Sequence, residues 1–490
     1  MANPATILSL MVLLGFVAAT QTCCADLQQA LGTQVSFPDQ FQYQLTESSY
    51  NALQEADLKP TCILRPNTAN DVARAVSILS TPKVYRKCHF AIKGGGHNAG
   101  IGFANINDGV TIDMASLSSV SLSSDQTVAL VGAGGKWVDV YAYLNTFNLT
   151  VAGGRNGNVG VGGLLVGGGI SHFSPRVGWA CDNVVNFEVV LGNGSLVSAN
   201  PNINPDLYLA LKGGANNLGV VTRFDLATFP QGNISSTLLV SDGSQAPAIL
   251  KAFTDITTRP EFDIHTSLVT TPIYNSETKA WSIINIAVYT EPVENPPVFA
   301  ELFSIPNLSR QITIGSVSAI SNETERPASN TLFATATFKP SLQLMLEMFD
   351  IMDKYFSAFT APSGSVQWVV GFEPLVAGLI QPSRGVQANL FGLDSKNIGF
   401  ILLLSPTWSD AASTDAVQEA AREVLGLLET HAESRGLLQK FQYLNYAAPY
   451  QQPLESFGGN KLQFLRKVSS KYDSGRVFQD QVPGGFKLWQ

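Results

Sequence analysis

The spacing of apolar residues changes twice along the chain, and each change marks a different kind of element. From residue 57 to about 230, short apolar runs alternate with amphipathic stretches and glycine-rich loops. Val72, Ala73, Val76 and Leu79 recur at helical spacing and predict a helix over 69–79, and a second is predicted over 137–148. Strands are expected at 90–93, 110–113 and 127–131. Beyond about 232 glycine thins. Long strands are then expected at 281–289, 366–372 and 398–404, with long helices over 341–356 and 415–431. An antiparallel sheet covered by helices gives an α+β class for this part. The last fifty residues are again rich in glycine and aromatics, with a helix starting at Lys461. The chain therefore divides into bodies at 57–230 and 231–440, with 441–490 returning to the first. At 490 residues it is too long for one ordinary core, and it shows no internal repeat.

The strand ending at Lys93 runs into Gly94-Gly95-Gly96-His97-Asn98. Glycines without Cβ atoms let several N–H groups converge on one anion, and a pyrophosphate suits such a row. A histidine at its end adds a nucleophile beside the ligand. Two other readings compete: an ordinary surface loop, and a dinucleotide fingerprint carried by Gly94, Gly96 and Ala99. The fingerprint requires a helix to follow, but residues 101–109 have no helical period and lead into another strand. A second glycine-dense stretch, 153–169, interleaves valine and leucine with its glycines. That mixture predicts a buried loop whose amides need partners, which a large ligand would supply.

Composition narrows the partners. A net charge of −8 argues against nucleic acid, which needs a basic stripe. The apolar run Ile7–Ala19 is too short to span a bilayer and is expected to be a signal peptide over 1–19, although no basic residue precedes it. Sequons at Asn148, Asn193, Asn233, Asn307 and Asn322 favour a glycosylated, secreted chain. The five cysteines, Cys23, Cys24, Cys62, Cys88 and Cys181, are expected to form one or two disulfides whose pairing is left open. Cleavage after Ala19 would leave an odd thiol, and cleavage after Ala25 would remove two cysteines. Neither they nor the histidines have metal-ligand spacing, so no metal site is expected.

Three segments together resemble the berberine bridge enzyme-like FAD-linked oxidases of the vanillyl-alcohol oxidase/p-cresol methylhydroxylase superfamily. They are 92–97, Val159 through Gly169 to Asp182-Asn183-Val184, and Tyr443-Leu444-Asn445-Tyr446 with Tyr472-Asp473 and Phe478. Segments 212–222 and 483–488 look like the fungal secondary-metabolism branch. The resemblance implies a two-part FAD-binding domain and a substrate domain with an antiparallel sheet backed by helices. It implies FAD contacts at Gly94, Gly95, Gly96, Asn98, Gly160, Gly163, Asp182, Val184, Val221 and Asn445, with His97 as the covalent tether.

One departure is informative. Bicovalent members carry a cysteine where this chain has Asn156, so a single bond through His97 is expected, with Cys181 structural. Val159 matches a position that tends to be small in members reacting with dioxygen, which favours an oxidase releasing hydrogen peroxide. Tyr443 is the candidate base. Glu373 is the other candidate, set against its reading as an exposed glutamate at a strand end. The implied activity is hydride removal from an alcohol or other activated C–H of a small secondary-metabolite intermediate, by a monomer. A carbohydrate oxidase acting on an anomeric hydroxyl and an oxidative cyclase are the alternatives.

Overall fold

The computed structural model describes residues 22–81, 88–322, 327–380, 389–394 and 396–489; the expected leader over 1–19 lies outside the described residues. The helix Ala69–Leu79 has its expected bounds because a capping box starts it. The Thr68 hydroxyl accepts from the Asp71 N–H, and the Asp71 carboxylate accepts from the Thr68 N–H. The helix Trp137–Asn145 stops earlier than its apolar period suggests. Asn148 takes a left-handed conformation there, and Leu149–Thr150 pairs with Phe229–Pro230 as a short ladder.

Two small sheets form the first body. In one, Cys62–Leu64, Val110–Asp113 and Phe90–Lys93 run parallel, with Val35–Ser36 antiparallel at the edge. The other is antiparallel in the order Val120–Leu122, Val128–Gly132, Val220–Ala227, Val184–Val190, Leu196–Ala199. Their shared core also takes in Phe441, Leu465, Phe478 and Leu488 from the C-terminal segment. The Gln481 amide fixes that segment by donating to the carbonyls of Leu79 and Cys88.

A ten-stranded antiparallel sheet forms the second body, with Ile234–Asp242, Ala280–Tyr289, Thr266–Asn275, Val366–Leu375 and Gly399–Leu404 adjacent in that order. The helices Ala246–Thr257, Leu342–Ala358 and Thr414–Ser434 pack on one face. Because side chains alternate across a strand, Trp368, Val370 and Phe372 join the core beneath those helices. Glu373 comes out on the opposite face, toward the first body.

Bridges Cys23–Cys88 and Cys24–Cys62 staple residues 22–31, which are helical, to the first sheet. Cleavage after Ala25 would remove one partner from each bridge. Cys181 is free and buried, and burial pushes its thiol pKa well up, which makes it inert. All five sequon asparagines are exposed.

Candidate active site

A cavity of about 480 Å³ lies between the glycine loops and the bare face of the large sheet. Gly94, Gly95, Gly96, His97 and Asn98 line one part of it. Val159, Gly160, Gly163 and Val221 line the adjoining wall, and Tyr443 and Asn445 reach it from the C-terminal segment. The two glycine loops meet back to back. A Cβ on Gly95 would come within 2.5 Å of the Gly160 nitrogen, and one on Gly160 within 2.4 Å of the Gly95 nitrogen. Gly96 has φ +69°, a conformation glycine adopts without strain. It turns the chain so that His97 faces the cavity.

This cradle fits a dinucleotide. A Cβ on Gly163 would meet no atom within 4 Å and would project into the space a ligand needs. Among the described residues, the N–H groups of Gly95, Gly96, His97 and Asn98 find no protein acceptor. Such donors need an anion or water. Burial lowers the pKa of His97, and the charge of Lys136 adds to the effect, so its imidazole is neutral and nucleophilic.

Asp182 and Val184 are placed elsewhere. Both lie in the core rather than in the cavity wall. The Asp182 carboxylate accepts from the Trp179 N–H and the Asn389 amide, and burial raises its pKa to about 6. It braces the turn that follows the second glycine stretch. Asn156 lines the cavity, and its Oδ1 accepts from the Asn158 N–H at 2.8 Å, which closes a local turn.

Above the glycine loops sits a cluster that connects distant parts of the sequence. The Arg155 guanidinium is 2.7 Å from Glu373 Oε1 and donates to the Tyr446 hydroxyl at 2.9 Å; that hydroxyl in turn donates to Glu373 Oε1 at 2.9 Å. Burial opposes the Arg155 charge, but the Glu373 carboxylate outweighs it and holds the guanidinium pKa above its ordinary value. Glu373 is only 3% exposed, and its Oε2 is buried without a partner. The view of Glu373 as an exposed strand-end residue is therefore corrected: strand alternation turns it inward, where Arg155 compensates its charge. A sequence signal for this existed. Arg155 is the sole charged residue in the stretch 153–169, and a cation buried in such a loop demands an acidic partner.

Tyr443 has a different environment. Its oxygen accepts from the Gly169 N–H and from Asn445 Nδ2, each at 3.1 Å. Burial raises its pKa, and the Asn445 hydrogen bond only partly offsets this, so it rests as a neutral phenol. Asn445 also donates to the Leu164 carbonyl at 3.0 Å and thereby locks Tyr443 to the glycine loop. The rest of the cavity roof is Val269, Ile286, Val288 and Leu403, with the Ser236 hydroxyl beside them.

Comparison with known proteins agrees with this geometry. The family described as FAD binding domain matches residues 60–200. The chain is 34% identical to the FAD-dependent monooxygenase drtC of Aspergillus calidoustus, over 97% of this chain and 91% of that one. Among solved structures, BBE-like 1 of Physcomitrella patens aligns with a TM-score of 0.76 and 19% identity, covering 96% of this chain and 99% of that one. Glucooligosaccharide oxidase of Acremonium strictum, described with a 6-S-cysteinyl, 8α-N1-histidyl FAD, aligns with a TM-score of 0.74 and 18% identity, covering 96% and 99%. The chain carries an FAD binding domain and shares the fold of BBE-like 1 and glucooligosaccharide oxidase, and it belongs to the family of the FAD-dependent monooxygenases of fungal secondary metabolism.

Proposed function

We propose that this FAD-dependent oxidoreductase carries its cofactor on a single covalent bond to His97 and oxidises an apolar secondary-metabolite alcohol. Bound FAD supplies the acceptance of a hydride from the substrate carbon and the passage of those electrons to dioxygen, which leaves as hydrogen peroxide. The N–H groups of Gly95 to Asn98 hold the pyrophosphate. Tyr446 takes the hydroxyl proton of the substrate onto its oxygen and passes its own proton to Glu373. Arg155 keeps the pair aligned and compensates the buried carboxylate. Tyr443, with both acceptor positions of its oxygen filled, orients rather than accepts. The observation that carries this reading is the Arg155–Glu373–Tyr446 cluster, opening on the same cavity as the His97 loop.

The four aliphatic side chains of the roof, set against the single Ser236 hydroxyl, support a lipophilic substrate over a sugar. A carbohydrate oxidase is the second reading, favoured by the fold shared with glucooligosaccharide oxidase. An intramolecular cyclisation of the oxidised product would follow from the same first step. Two disulfides, five exposed sequons and the leader-like start support passage through an oxidising secretory compartment. No described helix is long and apolar enough to cross a membrane.

The test is direct. Purified from a secreting host, the protein should show a yellow band that survives denaturation, and His97→Ala should abolish it. Peroxide release should follow apolar alcohols in a panel that also contains oligosaccharides. A colourless wild-type chain with unmodified His97 overturns the proposal, and turnover confined to sugars selects the second reading.

A further inference from the structure

Ser236 has no part in the nucleotide cradle or in the proton path. It lies on the strand Ile234–Asp242, lines the cavity and is half-buried. Among the described residues its hydroxyl makes no hydrogen bond to the protein. Side chains alternate across a strand, so Ile234 and Leu238 share its face. The positions opposite Ser236 and Leu238 on the next strand, Val288 and Ile286, are aliphatic too. A hydroxyl partly withdrawn from water among such neighbours loses hydrogen bonding unless a ligand restores it. The nearby Ser267 hydroxyl is already 3.1 Å from His172 Nδ1, which leaves Ser236 to meet that ligand.

The register of the sheet gives its distance from the reacting end. Ser236 pairs with Val288, and Val288 with Ser267. Leu238 pairs with Ile286, and Ile286 with Val269. Val269 precedes Thr270, whose partner Phe372 precedes Glu373. Three strand steps therefore separate Ser236 from Glu373, and at about 4.8 Å each they span about 14 Å. Val269, Ile286 and Val288 line the roof between them. The roof thus has the Glu373–Tyr446 pair at one end, an aliphatic middle and a hydroxyl at the other end.

We propose that Ser236 is a specificity-determining residue: its hydroxyl bonds to an oxygen function at the far end of the substrate, which is an elongated lipophilic molecule oxygenated at both ends. This rests on the orientation proposed above, in which the reacting alcohol meets Tyr446 and Glu373. A sugar carries hydroxyls along its whole length and would leave them unmet against Val269, Ile286 and Val288. A plain hydrocarbon tail would leave Ser236 unmet.

The experiment compares flavin-loaded wild type, Ser236→Ala and Ser236→Thr. The probes are benzylic alcohols bearing a para alkyl chain of graded length that ends in methyl or in hydroxyl. Kd is read from the change in the flavin spectrum, and kcat/KM from peroxide release. In wild type, one chain length should favour the hydroxyl-ended member by about 3- to 10-fold in both quantities. Ser236→Ala should bring that ratio to about one. Ser236→Thr keeps the hydroxyl on a side chain suited to a strand and should restore it. Equal ratios in wild type and Ser236→Ala overturn the inference, as does a wild type that binds no member of the series. Glu373→Gln separates the two readings: full kcat in that variant ends the proton path, while the Kd ratio still judges Ser236.

Discussion

Glu373 has one carboxylate oxygen shared by Arg155 and Tyr446 and the other buried with no partner. In the proposed path, Glu373→Gln removes the group that receives the Tyr446 proton. Stopped-flow reduction of the flavin should slow by about 10²- to 10⁴-fold, with the covalent flavin retained; reduction at the wild-type rate would rule the path out. Glu55 gives a pH prediction. It is 0% exposed, accepts from the Phe103 N–H and leaves Oε2 unpaired. Burial raises its pKa to about 7, against the pull of backbone N–H groups at 102–105. An unfolded glutamate titrates near about 4.3. Its contribution to stability is therefore complete below that value and is lost as pH rises through about 7. Asp182, raised to about 6, acts with the same sign. In Glu55→Gln the decline of Tm across this window should become shallower; an unchanged slope would contradict the assignment. Neither glutamate is visible as a buried group from its neighbours in sequence, because each is enclosed by residues far along the chain.

At the scale of elements, the contact between the glycine loops separates two roles of glycine. Gly95→Ala drives a methyl into the Gly160 backbone, and overpacking of this kind costs about 1–3 kcal/mol. Melting temperature and flavin content per chain should both fall. Gly163→Ala meets no protein atom, so stability should hold while flavin content falls. Equal losses in both variants would mean that the cradle does not discriminate. The elements themselves were largely legible. The helix over 69–79 and the strands at 90–93 and 110–113 fall where their periods put them, since local capping and alternation decide those bounds. The end of the helix at Asn145 was not legible, because pairing with Phe229–Pro230 decides it. The inward turn of Glu373 was only half legible: Arg155 called for an acidic partner, but within Trp368–Phe372 no polar residue says which face looks toward the cavity.

Among the described residues, two cores enclose the cavity between them. The cysteines illustrate what a single chain can conceal, since Cys23 and Cys24 are adjacent yet bridge to Cys88 and Cys62 respectively. Spacing alone allows either pairing; the position of residues 22–31 against the first sheet decides it. Removing the second bridge as Cys24→Ser/Cys62→Ser should cost about 2–4 kcal/mol of stability, read as a lower Tm with the bound-flavin spectrum unchanged. A spectrum that shifts would show that the bridge also shapes the cradle.

The return of the C-terminal segment has a consequence for biosynthesis. Tyr443, Asn445, Gly485 and Phe486 all line the cavity opened by Gly94 to His97 nearly four hundred residues earlier. While the chain is still being made, the early glycine loop is present but its opposite wall is not. A complete cofactor berth exists only once residues 443–486 have been made and have folded back, so attachment through the proposed bond at His97 would be a late event in maturation and a mark that the first body has closed.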